Sequence, residues 1–475
     1  MRQAEICHEA QPKSSKRWLI FGIGLPLTTA LLLLTQSNVI SRIEAFSNRF
    51  SNPLDQPYRY PFTDALTEEY SPTAIVQQEI AFYQQRIRQN PQGGLERALL
   101  AVAYLQMARA TGEGSWYLLA EQTAQQSLAN LPFDNLDALL VMARVAEARH
   151  DFAGALRLAE QIGGDRDAIA IQVTANLAMG NLSAASQAVN ELVAQFPSIN
   201  SLTLKALVRA AEGKNQEALE TFQQALQTEE VGEISSSART RVLLGRFHYE
   251  RGELEMAEAL YREALRISPA YPLALVNLAQ LEIRQGDYRA ADRHYAQVAA
   301  SSRGTLRVFD PTVLRGRARI HQLQGNQSKA EELWAEAEIQ LRQSITDTSN
   351  EAVTAFGHER DLAKLLLERG RSQDISEAVV LMRSQIQSRR DADTLDTLAW
   401  ALSRSGEWQE AQQAIQEALD QGIRDAGIYD RAGVIEQALG NDARAAEYFQ
   451  KVKEIDPEFG DRDREASGLG AGLGS

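Results

Sequence analysis

The 475-residue sequence contains one cysteine, Cys7, so it lacks the residues for an internal disulfide framework, a multi-cysteine zinc site or a CxxC redox pair. Glycine and proline are also scarce: 30 and 13 residues, about 9 % together against roughly 12 % in average proteins, as in helical chains. Basic residues are outnumbered, with 49 Lys and Arg against 63 Asp and Glu and a net charge of -14. Because this charge repels a phosphate backbone, we expect no nucleic-acid partner.

Motifs that carry catalysis are missing as well. The sequence has no GxxxxGK[ST] phosphate loop, no GxSxG elbow and no HExxH, and no two of its six histidines are spaced at i, i+4. The acidic residues are scattered with the spacing of a solvated helix face. We therefore expect a protein that is not an enzyme and that holds no metal and no cofactor. With 44 % hydrophobic and 24 % charged residues, the chain is nevertheless able to bury a large core.

The N-terminus contains one long apolar run. Residues Trp18 to Leu34 form 17 uncharged residues, which as a helix extend over about 26 Å and just span a bilayer core. Four basic residues precede the run and two follow it closely, which by the positive-inside bias places the N-terminus in the cytoplasm. We predict a cytoplasmic segment at 1–17 and a transmembrane signal anchor at 18–36.

A cleaved signal peptide is the alternative to this anchor. The best small-residue site after the run is Thr35-Gln36-Ser37 rather than Ala-x-Ala, and the preceding region is long, which favours the uncleaved anchor. Residues 37–70 follow, with Pro53, Pro57 and Pro61 at four-residue spacing, and this spacing is incompatible with a continuing helix. We interpret 37–70 as a Pro-containing stalk.

Most of the remaining chain repeats with a period of 34 residues, most clearly at 238–300 and 392–457. In the first of these segments, small and aromatic residues occupy the consensus positions of one repeat motif: Gly245, Gly252, Ala257, Tyr261, Ala264 and Pro269. Weaker copies bring the number to about ten. The pattern resembles the tetratricopeptide repeat family.

This resemblance implies an all-α fold: a right-handed superhelical α-solenoid of about ten helix hairpins over 95–457. Each hairpin buries its apolar face against its neighbours. An amphipathic stripe before the array predicts a capping helix within 71–94, and the Gly-rich end predicts a flexible tail at 458–475. The aromatic residues of the repeats are expected in the core: Tyr261, Tyr295, Trp334 and Phe449.

In this family the first helix of each hairpin lines a concave groove. The resemblance therefore predicts a partner-binding surface at Arg246, Tyr249, Asn277, Gln280, Arg284, Arg315 and Arg319. Asn277 stands where carboxylate-clamp repeats have an asparagine, whereas Arg246 and Thr312 depart from that clamp. Such arginine and amide groups suit a partner's carboxylates through charge-assisted hydrogen bonds. The alternative is a solvated polar groove with internal pairs between arginines and acidic residues.

Together these observations predict a membrane-anchored scaffold or assembly factor that mediates protein–protein interactions. It is similar to the single-span tetratricopeptide proteins of bacterial inner membranes, which implies a single-pass location in the cytoplasmic membrane with periplasmic repeats. Its partner would be a protein or peptide of a membrane or envelope complex. Two alternatives stay open: a self-associating structural solenoid, and a regulatory subunit of a membrane enzyme with cytoplasm-facing repeats.

Overall fold

The computed structural model describes residues 72–111, 113–230, 233–300, 309–346 and 358–466. The chain divides into two compact units, residues 1–57 and 58–475, and all described residues belong to the second. They form the helices α1 Pro72–Gln89, α2 Gly94–Thr111, α3 Gly114–Asn130, α4 Leu136–Ala148, α5 Phe152–Ile162, α6 Arg166–Ala178, α7 Leu182–Gln195, α8 Ile199–Ala211, α9 Asn215–Gln227, α10 Ile234–Tyr249, α11 Leu254–Ile267, α12 Pro272–Gln285, α13 Tyr288–Ala300, α14 Asp310–Leu323, α15 Gln327–Thr346, α16 Glu359–Arg369, α17 Ser372–Gln385, α18 Ala392–Ser405, α19 Trp408–Asp420, α20 Ala426–Ala438, α21 Asp442–Ile455 and α22 Asp461–Ala466.

Helices α2 to α21 pair in chain order as ten hairpins, from α2–α3 (hairpin 1) to α20–α21 (hairpin 10), and each hairpin packs on the next. The all-helical prediction is confirmed for the described residues. Helix α1 packs on α2 as an additional helix before the first hairpin. The connections inside hairpins 3 to 10 contain glycines with positive φ; Gly286, for example, follows α12 with φ 83°, a backbone conformation that other residues rarely adopt.

Small residues let the two helices of a hairpin approach closely, and an aromatic ring fills the space beside them. A Cβ on Gly245 would lie 2.6 Å from the Tyr261 ring, and one on Gly433 would lie 2.5 Å from the Phe449 ring. Tyr261, Tyr295 and Trp334 are at most 1 % exposed, as predicted, whereas Phe449 is half-buried. Hairpins 5 and 10 are thus held by a close-packed interior in which loss of the aromatic ring leaves a cavity.

Hairpins that are distant in sequence also touch. The backbone N–H of Arg390 donates to the Ala178 carbonyl at 2.9 Å. A Cβ on Gly213 would lie 2.7 Å from the Gly422 carbonyl oxygen, and one on Gly252 would overlap the Asp456 carboxyl group. The turns of hairpins 3, 4 and 5 therefore contact the connections that follow hairpins 8, 9 and 10. We call these contacts the seam; they join successive turns of the solenoid.

The C-terminal end differs from the prediction. The predicted tail begins at residue 458, but α22 covers Asp461–Ala466 and packs against α12 and α14. Ion pairs of Asp463 with Arg284 and of Arg464 with Asp430 hold it there. The predicted cytoplasmic segment, signal anchor and stalk lie outside the described residues. Within the part of the chain that the structure describes, every helix falls short of the length or apolarity needed to cross a bilayer.

Candidate functional site

A cavity of about 220 Å³ lies on the side of the solenoid formed by the first helices of hairpins 5 to 8. The resemblance assigned this side to the concave groove. We call this pocket the concave cavity. It is lined by Tyr249 of α10, Gln280 and Ile283 of α12, Tyr295 of α13, Thr312, Arg315, Gly316 and Arg319 of α14, and Lys364 and Glu368 of α16. Four of the seven predicted groove residues, Tyr249, Gln280, Arg315 and Arg319, are therefore brought together here.

Arg315 and Arg319 extend from the same face of α14. The Arg315 guanidinium lies 3.3 Å from a Glu368 carboxylate oxygen and 3.7 Å from one of Asp361. Burial alone would lower the pKa of Arg315, but the two carboxylates outweigh it, and the pKa is raised. Arg319 is 6 % exposed and donates to the side-chain oxygen of Gln322. Arg315 is thus charged and held by acids of hairpin 8.

Arg246 lies further along the same side, on α10. Its guanidinium donates to Glu250 at 2.8 Å and to Asp393 of hairpin 9 at 3.1 Å. Asp393 and Glu250 raise the pKa of Arg246, and Arg246 in turn helps to hold the pKa of Asp393 below its usual range although burial opposes this. Because Arg246 and Asp393 are 147 residues apart, this ion pair also ties hairpin 5 to hairpin 9.

Arg284, at the end of α12, is 9 % exposed and is bound by two carboxylates of the C-terminal end, those of Asp456 and Asp463. Its guanidinium also lies 5.5 Å from the centre of the Tyr249 ring. Burial would lower the pKa of Arg284, but Tyr249 and the two carboxylates raise it. The predicted partner-binding arginine is therefore already occupied by an acidic segment of its own chain.

The two predicted amide residues differ in their engagement. The Asn277 side-chain nitrogen donates to the Leu273 carbonyl of its own helix at 2.7 Å, which is a local bond rather than an interhelical one. Gln280 lines the concave cavity, and no side-chain hydrogen bond joins it to another described residue. Gln280 is therefore the amide that is available to a ligand in the cavity.

Lys364 is a cavity residue that the sequence reasoning missed. Burial, with Arg360 and Arg315 nearby, lowers its pKa to about 8, and none of the described carboxylates forms an ion pair with it. Hairpin 8 is a weak copy of the repeat, so its groove positions were not assigned. When Ala363 is aligned with Ala279 of hairpin 6, Lys364 occupies the position equivalent to Gln280, and Glu368 occupies the position equivalent to Arg284. That register was the signal for both residues.

The site thus combines fixed arginines with groups that still have bonding capacity. Arg246, Arg284 and Arg315 each have carboxylate partners within the chain, as the alternative of internal pairs anticipates. Lys364 and Gln280 add a cation and an amide without such partners among the described residues. The arrangement can accept a carboxylate beside Lys364, or exchange an internal carboxylate for one of a partner.

Comparison with protein families matches tetratricopeptide repeat models to residues 197–270, 276–344 and 397–458. The chain therefore contains tetratricopeptide repeats, as the 34-residue period predicts, and they form an α-solenoid. The comparison with curated proteins gives no match.

Solved structures resemble the chain at low identity. A human IFIT1 dimer with PPP-AAAA is 15 % identical, with a TM-score of 0.43 over 80 % of this chain and 87 % of that one. The Cut9-Hcn1 hetero-tetramer of the APC/C is 12 % identical, with a TM-score of 0.37 over 86 % and 97 %. MamA is 14 % identical, with a TM-score of 0.29 over 36 % and 95 %. Because these TM-scores lie below 0.5, none of the three informs what this chain binds.

Proposed function

We propose that the chain is a protein-binding scaffold that holds a segment of its partner on the concave side of the solenoid. Tetratricopeptide repeats suggest an interaction role in general. The observation that supports this particular surface is the concave cavity, where Lys364 and Gln280 lie beside Arg315 and Arg319. Its lining contains three cations and one carboxylate, Glu368, in a chain with a net charge of -14. A local positive surface on an acidic protein favours an acidic partner segment.

We further propose that residues 18–36 anchor the scaffold in the cytoplasmic membrane of a bacterium, with the repeats in the periplasm. The apolar run and the basic residues before it support this orientation. Confinement to a membrane raises the effective concentration toward other membrane proteins, so that modest contacts on the concave side suffice. In this role the chain itself catalyses no reaction and needs no cofactor, and its partners are proteins of an envelope or membrane complex.

Affinity purification from gently solubilised native membranes, after brief crosslinking, tests the proposal. The informative variant combines Gln280→Glu with Lys364→Glu, because neither side chain has an ion pair to lose among the described residues. We expect a stoichiometric partner with the wild type and about a tenfold lower yield with this variant, because two introduced carboxylates repel an acidic segment.

The matched control combines Gln450→Glu with Lys451→Glu, which makes the same charge change of three units on exposed α21, where both side chains contact Glu454. Its partner yield should equal that of the wild type. Equal yields from all three proteins would place the interface elsewhere, and recovery of the protein alone would favour the self-associating solenoid. A reporter fused after Ser475 that is active only outside the cytoplasm tests the orientation; an inactive reporter would contradict periplasmic repeats.

A further inference from the structure

The chain after the last hairpin, residues 456–466, is the C-terminal segment. It is anchored to hairpin 10, because Phe459 packs with Val452 and Ile455, and Arg464 bonds the fully buried Asp430. Its sequence, DPEFGDRDREA, is rich in acidic residues. These contacts alone would describe an ordinary polar cap on the end of a repeat array.

The C-terminal segment nevertheless reaches far beyond hairpin 10. Helix α22 contacts α12 and α14, which belong to hairpins 6 and 7. The Asp456 and Asp463 carboxylates bind Arg284 of α12, and the Phe459 ring centre lies 5.9 Å from the same guanidinium. The seam already places the connections after hairpins 8, 9 and 10 against hairpins 3, 4 and 5, and the C-terminal segment continues this offset onto hairpin 6, where its carboxylates bind Arg284. The segment therefore fills a surface that belongs to the middle of the array.

That surface borders the concave cavity. The Arg284 guanidinium lies 5.5 Å from the centre of the Tyr249 ring, and Tyr249 lines the cavity. The family register places Arg284 among the partner-binding residues. The C-terminal segment thus offers two carboxylates and an aromatic ring to a groove arginine, which is the chemistry expected of an acidic partner.

From this placement we propose that the surface formed by Arg284 and Tyr249 recognises an acidic peptide segment with an aromatic residue between two carboxylates. The C-terminal segment is its resident occupant, and the partner binds by displacing it. This inference rests on the proposed function, since it specifies the chemistry of the partner segment and the displacement step by which the partner binds. Because Arg284 is buried, a segment without carboxylates would leave its charge uncompensated and would not displace the resident one.

The test uses the full-length protein in detergent and a fluorescein-labelled peptide with the sequence of residues 456–466. Peptide binding is followed by anisotropy for the wild type, Asp463→Asn and Asp461→Asn. Asp463 is 12 % exposed and bound to Arg284, whereas Asp461 is 93 % exposed and, among the described residues, pairs only with Arg464 of its own helix. Asp461→Asn is therefore a matched control in the same short helix.

We expect Asp463→Asn to bind the peptide about tenfold more tightly than the wild type, because weakening the resident occupant raises the fraction of open surface. Asp461→Asn should match the wild type. Adding Arg284→Gln to Asp463→Asn should abolish binding, as should replacing both arginine-binding aspartates of the peptide by asparagine. Amide exchange of residues 456–466 should become faster in Asp463→Asn, which checks that the segment has been loosened in a folded protein.

Equal peptide affinities for the wild type and Asp463→Asn, with faster exchange in the variant, would overturn the inference. Binding that persists after Arg284→Gln would overturn it too. The inference and the proposed function can fail separately. A membrane partner whose yield depends on Gln280 and Lys364, but is unchanged by Asp463→Asn, would support the scaffold and contradict the displacement step. Tighter peptide binding by Asp463→Asn, with no partner recovered from membranes, would support the recognition surface and contradict the scaffold.

Discussion

Gly213 and Gly422 face each other across the seam, and both have positive φ, 74° and 80°. Gly325 and Gly406 have φ of 78° and 84° in equivalent turns, but a Cβ on either would meet nothing within 4 Å. The left-handed backbone thus requires glycine in both pairs, whereas close approach of another turn restricts only the first pair. The sequence predicts that these turns require glycine, but it does not show that another turn packs against two of them.

Comparing Gly213 with Gly325 allows the contribution of the seam to the free energy of unfolding to be measured. Gly325→Ala should lower the free energy of unfolding by about 1–2 kcal/mol, the cost of positive φ for a residue with a Cβ. Gly213→Ala should cost this amount plus on the order of 1–3 kcal/mol for the overlap with Gly422. Chemical denaturation of the two variants compares them directly. Equal losses would mean that the turns do not touch in solution.

Asp425, the N-cap residue of α20, has an unusual carboxyl group. Burial and the neighbouring acids Glu250, Asp396 and Asp393 raise its pKa to about 7. The folded state therefore holds a proton that the unfolded state releases near its ordinary value of 3.8. The stability that this group contributes is complete below that ordinary pKa and is lost as the pH rises through about 7.

We expect Asp425→Asn to remove this loss while keeping the cap, because an asparagine side-chain oxygen can still accept the Ile428 N–H. Between about pH 5.5 and 8.5 the variant should lose less free energy of unfolding than the wild type, by on the order of 1 kcal/mol. Thermal or urea unfolding at the two pH values measures the difference. Parallel pH profiles would show that Asp425 is ionised throughout the range.

At the scale of helices, the sequence predicts the architecture well, because hairpins depend on local patterns. The small residues and aromatic rings that repeat every 34 residues specify which helices pair, and the described residues contain the hairpins α2–α3 to α20–α21. Hairpin 8 has only a weak repeat motif, so the motif alone does not identify the cavity residues Lys364 and Glu368. A register extended through weak copies would have recovered both residues.

An aromatic residue buried inside a hairpin should contribute more to the free energy of unfolding than a half-buried one on the second helix of another hairpin. Tyr261→Ala should destabilise the solenoid by about 3–5 kcal/mol, because Tyr261 is 1 % exposed and its ring packs over Gly245. Tyr448→Ala, which removes a half-buried ring from α21, should cost clearly less. Calorimetric unfolding of both variants checks the order; similar losses would contradict the packing account.

At the scale of the whole molecule, the sequence could not show that distant hairpins meet. The seam consists of backbone groups and glycines, such as the Arg390 N–H on the Ala178 carbonyl, and it leaves no periodic pattern. The partner of Arg284 was hidden for the same reason, because Asp456 lies 172 residues away. The groove positions could thus be predicted from the repeat register, whereas the groups that already occupy some of them could not.

Site-specific photo-crosslinking tests the central claim, that a partner is held on the concave side, most directly. A photoreactive residue at Gln280 lies in the concave cavity, and one at Val380, which is 68 % exposed on the second helix of hairpin 8, serves as the control. After irradiation of native membranes, we predict a discrete partner adduct from position 280 and none from position 380. An adduct from position 380 alone, or none from either position, would contradict a partner in the groove.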